Sequence, residues 1–258
     1  RVLQTSEPQR KEVVADEFCN ALDQWLEQGE MPFELTPDGR AAFGTIITEL
    51  LDNAERHSQP TEGNELSGNW TCAAFMARRQ EEGRWVYRCY MGFLSVGATI
   101  AESLVTGPDD MLQDVDRYAE LHAGKGFSVE ELTTVYALQD GITRIRDAAG
   151  RRGGIGFQEL LKFVSLLSTQ GAFGDARLTV ISGNACIQLK KPYVEGVRAG
   201  ETKPRLIWFN PTNDPSEPPS RDHVFSLEHK FAGTVVGISF VLDHDYLREI
   251  FNDRDQPG

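Results

Sequence analysis

Apolar residues at Phe43, Ile46, Ile47, Leu50, Leu51 and Ala54 recur every three or four positions, and this stretch limits the chain more than any other. That period belongs to a helix with one buried face, which must pack against a second layer. At about 100° per residue, Glu49, Asn53 and His57, each four apart, form a polar stripe at the margin of that face. A carboxylate and an amide one turn apart, half sheltered by apolar neighbours, can do linked chemistry. The amide oxygen can ligate a hard cation such as Mg²⁺, and the carboxylate can orient or deprotonate a water. The same spacing equally suits an ordinary amphipathic surface helix.

The segments around this helix set the fold class. Residues Lys11 to Gln28 carry Val13, Val14, Phe18, Leu22, Trp25 and Leu26 on one side of a helix, which Gly29, Pro32 and Thr36-Pro37-Asp38-Gly39 break. After a polar loop from Gln59 to Gly68, two strand-like runs follow, Asn69–Ala77 and Arg84–Phe93, with Gly83 in the turn between them. An acidic helix is expected from Pro108 to His122, and the capping box Ser128-Val129-Glu130-Glu131 starts another through Leu138. Gly-rich sequence from Asp140 to Gly156 opens into a helix over Phe157–Ser168. Strands are expected at Arg177–Ser182, Ala185–Lys190, Arg205–Phe209 and Gly233–Leu242, with an exposed Pro-rich loop at 211–223 and a short helix at Tyr246–Phe251. Helices segregated from hairpin strands predict an α+β, two-layer sandwich. The expected divisions are an N-terminal helical extension over 1–35, a main domain over 36–243 and a C-terminal helix and tail over 244–258.

Composition narrows the function classes. A net charge of −13 over 258 residues argues against a nucleic-acid groove. The one basic cluster, Arg144, Arg146, Arg151 and Arg152, suits a phosphate group or an acidic partner. Cys19, Cys72, Cys89 and Cys186 are spread without a C-x-x-C pair, which fits free thiols in a reducing compartment and no zinc site. No run approaches the roughly 18 apolar residues of a membrane span, and no signal-peptide pattern opens the chain. The expectation is a soluble, cytoplasmic protein with no membrane partner. His122, His223, His229 and His244 lack partners at metal-ligand spacing, and Trp25, Trp70, Trp85 and Trp208 are read first as core residues.

Glu49-x-x-x-Asn53-x-x-x-His57 resembles the N-box of the GHKL superfamily, the Bergerat-fold ATPases. The wording Glu-Leu-Leu-Asp-Asn-Ala-x-x-His-Ser is most similar to the small bacterial members, those like anti-sigma-factor kinases and histidine-kinase catalytic domains. Gly150-Arg151-Arg152-Gly153-Gly154-Ile155-Gly156-Phe157, a glycine-rich entry whose N–H groups can approach an anion at a helix start, resembles the superfamily's G2 box. Ala137–Arg144, with a hinge glycine at Gly141, is similar to the lid. Arg177–Asn184 resembles the strand and turn after G2, where leucine-x-isoleucine-x-serine-glycine is expected. Phe231–Phe240 resembles the closing strand, whose Gly233-Thr234 places a hydroxyl near the adenine pocket. The resemblance covers roughly Ala41 to Leu242.

One element departs from the pattern. Where the G1 box should read Asp-x-Gly-x-Gly stands Ser95-Val96-Gly97-Ala98-Thr99, with Ser95 in place of the aspartate and Thr99 in place of the second glycine. A hydroxyl still accepts a hydrogen bond but loses the charge-assisted part, about 1–2 kcal/mol or tenfold in affinity. A nucleotide site with relaxed base choice and a retired site both fit that change.

The resemblance implies a Bergerat fold, a two-layer α/β sandwich whose mixed, mostly antiparallel sheet is covered on one face by helices. It implies ATP and Mg²⁺ as cofactors, Glu49 as general base and Asn53 as Mg²⁺ ligand. His57, Ser95, Gly97, Thr99, Gly141, Arg152, Gly153, Gly154, Ile155, Gly156 and Thr234 complete the implied nucleotide site. The activity implied is slow ATP hydrolysis or phosphoryl transfer to a partner protein, a serine on a small STAS-like protein in the small bacterial members that phosphorylate proteins. The alternative is a regulatory protein-binding module that holds nucleotide weakly or not at all. A homodimer is left open.

Overall fold

The computed structural model describes residues 10–27, 35–57, 69–105, 107–139, 142, 160–161, 164, 176–190, 193, 197–198 and 205–243. Strands β1 (Asn69–Glu81) and β2 (Arg84–Val96) form a long antiparallel hairpin. Its two-residue turn is Glu82-Gly83, both at positive φ (50° and 82°), the twist-matched turn that favours glycine at the second position. Arg88 holds Glu81 through two 2.6 Å bonds beside that turn, and the Arg78 guanidinium lies 4.2 Å from the Trp85 ring centroid. The hairpin signal at Gly83 is thus realised, with both strands running three or four residues longer than their apolar patterns show.

The sheet is completed by β3 (Arg177–Leu189) and β6 (Val224–Asp243), in the order β1-β2-β6-β3, with every neighbouring pair antiparallel. The mixed sheet expected from sequence is therefore wholly antiparallel among the described residues. A separate two-stranded pair joins β4 (Val197–Arg198) to β5 (Arg205–Leu206). The two strands expected at 177–182 and 185–190 are one. Gly183-Asn184, read as a turn, is a β-bulge where the register with β6 shifts, and Gly183 takes φ 60°.

Period-2 alternation gives the sheet one helix-covered face. On it the register lines up Trp70, Ser95, Thr234 and Ser182; then Cys72, Phe93, Val236 and Val180; then Ala74, Met91, Ile238 and Leu178. Helices α1 (Lys11–Leu26) and α2 (Pro37–His57) pack over this face, with Phe18 against Phe93 of β2 and Phe43 against Phe240 of β6. They lie antiparallel, tied by the ion pairs Lys11–Asp52 and Arg40–Asp23. Ala15, Cys19 and Leu22 of α1 belong to the same buried cluster as Ile47, Phe93 and Ile238, so the helix of the 1–35 extension is part of the main body. On the opposite face Phe75 and Tyr90 stack at 6.3 Å while 60% and 45% exposed. The architecture is an α+β arrangement of helices against one face of an antiparallel sheet.

Helix α3 (Ile100–Leu104) follows β2 directly, then α4 (Asp109–His122) and α5 (Val129–Ala137). The Ser128–Glu131 capping box forms as its spacing predicts. Against α4 and α5 docks the Pro-rich connection before β6. Its tip is exposed, but its root is locked by side chains that act as backbone. Gln139 Nε2 donates to the Val135 and Ile207 carbonyls while Gln139 Oε1 accepts from Ile207 N. Asn210 Nδ2 donates to the carbonyls of Asp214 and Glu217 across the turn. Buried Glu131 receives Arg221 at 2.6 Å, and that guanidinium caps the Phe127 ring at 3.8 Å. Trp208 fills the core beside Tyr118 and Tyr136. No helix among the described residues is long and apolar enough to cross a membrane. The final helix expected at 246–251 lies outside the described residues, as does most of that expected at 157–168.

His122 is buried where α4 meets this loop. Its Nε2 lies 2.9 Å from the Pro215 carbonyl, so it donates there, which leaves Nδ1 to accept from Lys125 Nζ at 3.4 Å. Burial holds its pKa below the ordinary 6.5, and nearby Lys125 adds to that shift. Protonation would turn Nδ1 from acceptor to donor against a cation. The unfolded chain therefore binds a proton that the folded chain refuses, and stability falls as pH drops from about 6.5 toward the lower folded value. Urea unfolding at pH 7.5 and 5.5 should show this loss in the wild type and a smaller loss in His122→Gln; equal pH slopes in the two proteins would contradict it.

Candidate functional site

The end of the helix-covered face carries a row of hydroxyls where the rows behind it carry apolar side chains. Ser95 on β2, Thr234 on β6 and Ser182 on β3 are register partners, so all three point to one face. Ser182 is fully buried and Ser95 8% exposed, while Thr234 is half-buried. Ser182 Oγ lies 2.9 Å from Thr234 Oγ1, and Ser95 Oγ donates to the Thr234 carbonyl over a long 3.4 Å. Ser182 Oγ also accepts the Ile100 N–H at 2.7 Å, which fixes the chain leaving β2. Three residues far apart in sequence become one polar strip.

Two glycines make this approach geometrically available. Gly233 sits at φ 141°, and a Cβ there would collide with the Ser95 carbonyl oxygen, so only glycine lets β6 run this close to β2. Gly97, at φ 145°, turns the chain out of β2 and donates from its N–H to Ala232 O at 3.2 Å. Thr99 then caps α3: its hydroxyl accepts from Glu102 N at 3.1 Å, and the Glu102 carboxylate accepts from Thr99 N at 2.9 Å. The Thr99 hydroxyl is thereby committed to a capping box, a use that its place in the altered G1 pattern did not suggest.

An ion-pair cluster flanks the strip. Lys230 Nζ lies 2.8 Å from Glu102 and 3.7 Å from Glu130. The lysine holds the Glu102 carboxyl below its usual range, helped by the Thr99 N–H, and Glu102 in turn raises Lys230. Glu130 accepts Asn184 N at 3.1 Å, and its carboxylate occupies the space that a side chain at Gly183 would need. The cluster thus clamps α3 and α5 to the β3 bulge.

Helix α2 starts over the opposite end of the sheet and runs toward this one, with Glu49 and Asn53 in its second half. Phe43 lies over Phe240, at the far end of the inner face, and from Phe43 to Asn53 the helix advances about 15 Å. The six residues from Phe240 back to Thr234 span about 20 Å of strand, and α1, antiparallel to α2, crosses Phe93 on the way. Both residues are half-buried on α2, the sheltered margin expected from their spacing. Asp52, between them in sequence, is taken by Lys11, whereas no described residue bonds the side chain of Glu49 or Asn53. His57 ends α2, and its side chain is outside the described set. Gly141, Arg152, Gly153, Gly154, Ile155 and Gly156 also lie outside the described residues.

Sequence reasoning quoted Ser182 only as part of a strand motif and did not place it in the site. The signal that would have found it is register: a serine on the inward period of β3, opposite Thr234. It likewise missed the Glu102–Lys230–Glu130 cluster, whose members are 28 to 128 residues apart. Cys89, deep under α1, has its thiol pushed up to about 12 by burial, so it serves as a packing group and not as a nucleophile. Among the described residues no three His, Cys, Asp or Glu side chains group as a metal cage. No family model, curated protein or solved structure matches this chain.

Replacing Ser182 by alanine removes the acceptor of Ile100 N–H and the partner of Thr234 in a dry site. The expected loss is about 1–3 kcal/mol, read as a lower urea midpoint at unchanged slope. A loss below about 0.5 kcal/mol would mean that the strip is not held as described.

Proposed function

We propose that this chain is an ATP-binding protein of the GHKL type, which holds Mg·ATP at the end of the sheet beneath the C-terminal half of α2. The observation that carries the reading is convergence. Thr234 and Ser182, taken from two separate resembling motifs, share one row with Ser95, which stands in the departing G1 element, at the sheet end toward which α2 runs. The donor set also suits the group. One amide and one carboxylate, both without a partner among the described residues, match an ion that arrives already bound to phosphates and needs few protein ligands.

In this reading Mg·ATP supplies an activated phosphoryl group and a cation that neutralises its charge. Asn53 would hold the ion through its amide oxygen. The Glu49 carboxylate accepts the proton of the attacking hydroxyl, from water in an ATPase or from a serine in a protein kinase. The hydroxyl strip would take the base, with Ser95 where the resembled pattern has an aspartate. Gly153, Gly154 and Gly156 would cradle the phosphates, with Gly141 as lid hinge and Arg152 beside the anion. A small STAS-like protein is the proposed phosphoryl acceptor. A second reading, a regulatory module without turnover, draws support from the same strip: its hydroxyls already bond one another, and no carboxylate stands among them.

Thermal or urea unfolding with Mg·ATP at about 100 times its Kd should show roughly 2.7 kcal/mol of stabilisation, and Asn53→Ala should remove the part that depends on Mg²⁺. Glu49→Ala should keep the stabilisation and lose phosphate release. Stabilisation without phosphate release in the wild type selects the regulatory reading, and no shift with any nucleotide removes the nucleotide site altogether.

A further inference from the structure

We infer that the β1 edge of the sheet receives an extended segment of a partner protein, one that begins with carboxylates and then alternates apolar and polar side chains. The inference is independent of the nucleotide reading.

β1 is the edge strand of the sheet. Among the described residues it pairs only with β2, through an unbroken register from Asn69 to Glu81. Alternate residues along such a strand leave N–H and C=O groups for one more strand to take up. Natural edges are usually closed by charge, proline or a bulge, and from Trp70 to Ala77 the sequence contains no charge, proline or glycine. The opposite edge differs: β3 is interrupted by the bulge at Gly183, with Glu130 of α5 seated against it.

The helix layer also stops short of β1. On β2 the inward Cys89, Met91 and Phe93 are buried, whereas their partners on β1, Met76, Ala74 and Cys72, are only half-buried. A small apolar cleft lies there, lined by Phe18, Leu22 and Trp25 of α1 and by Ala74, Phe75 and Met76 of β1. An added strand would aim every second side chain under α1 toward this cleft. Its intervening side chains would lie on the outer face, where Phe75 and Tyr90 are exposed.

Charge selects the occupant. The uncharged window ends at Arg78 and Arg79, both exposed, with Arg78 over the Trp85 ring and Arg79 at the next, outward position. Arg88 on β2 is already matched by Glu81. An antiparallel strand that starts with two carboxylates sets them beside Arg78 and Arg79. A second copy of this edge would bring the same two arginines instead. A single-stranded nucleic acid could stack on the aromatic pair, but it has no peptide groups to pair with the edge, and a chain of net charge −13 repels a polyanion.

The test is calorimetric titration of the full chain with the acetylated and amidated peptide Glu-Asp-Thr-Val-Tyr-Val-Thr-Val. Added antiparallel, it sets its acids beside Arg79 and Arg78, its tyrosine beside Phe75 and its valines opposite Met76, Ala74 and Cys72. Saturable binding with a Kd below about 1 mM is expected, and a peptide with Lys-Lys in place of Glu-Asp should bind at least about tenfold more weakly. Arg79→Glu should shrink or reverse that ratio. Saturating peptide should slow amide hydrogen exchange about tenfold or more at alternate residues from Trp70 to Ala77, the period-2 mark of strand addition. No binding up to about 1 mM overturns the inference. So does binding without that exchange pattern, equal affinity for the lysine peptide, or a ratio unchanged in Arg79→Glu. A chain that sediments as a dimer with these amides already protected gives the edge to a second copy and overturns it too. Displacement of the peptide by oligothymidylate assigns the surface to nucleic acid, with the same consequence.

Discussion

The register of β6 between its two neighbours is the constraint on which the rest of this molecule depends. β6 is 20 residues long and pairs with β2 on one side and β3 on the other. Because side chains alternate with period 2, a one-residue slip would turn Val236, Ile238 and Phe240 out of the core and Thr234 out of the hydroxyl strip together. The bare approach at Gly233 and the bulge at Gly183 are where this register is pinned. One admits β2 and the other releases β3 to follow the bend toward Glu130. Core and candidate site are thus consequences of one alignment, and a mutation cannot shift the site sideways while the core remains packed.

That coupling explains which parts were legible in the sequence. Helices α1, α2, α4 and α5 declare themselves through apolar spacing and through the Ser128–Glu131 box, because burial against a sheet selects a stripe. The β1–β2 turn is legible because few residues other than glycine accept its second position. The first half of β6 was not legible. Glu228, His229 and Lys230 are exposed and polar there, so no apolar alternation marks Val224–Ala232 as strand. Gly183-Asn184 reads as a turn by composition and becomes a bulge because β6 offers pairing partners on both sides of it. The Pro-rich loop reads as loose, yet Gln139 and Asn210 supply the backbone-like bonds that fix its root, and such partners are invisible to local pattern.

The candidate site was legible in a different sense. The helix stripe of Glu49 and Asn53 follows from spacing alone, whereas the union of Ser95, Ser182 and Thr234 is non-local and becomes visible only through strand pairing. The sequence therefore names candidates, and the register decides which of them are neighbours. Thr99 illustrates the difference: in the pattern it stands in for a glycine, while in the fold it caps α3 and braces the turn beside Ser95. A hydroxyl at the start of a short helix is used first for that helix's own stability, because an uncapped helix start leaves N–H groups bare.

Charge places a last condition on any polyanion bound here. The chain carries −13 overall, and the described cations nearest the sheet end are committed: Lys11 to Asp52, and Lys230 to Glu102 and Glu130. A triphosphate approaching this surface meets net repulsion at low salt, screened beyond about 10 Å at 0.1 M. Attraction then has to come from short-range sources, a divalent ion carried by the ligand and backbone N–H groups presented by glycines. Neither is weakened by the acidic surface in the way that long-range steering is. In the proposed function, affinity would accordingly depend steeply on Mg²⁺ and only mildly on monovalent salt, the reverse of a site built from lysine and arginine. The neutral hydroxyl strip fits the same logic, since an aspartate in place of Ser95 would add one more negative charge to an end of the sheet already rich in them.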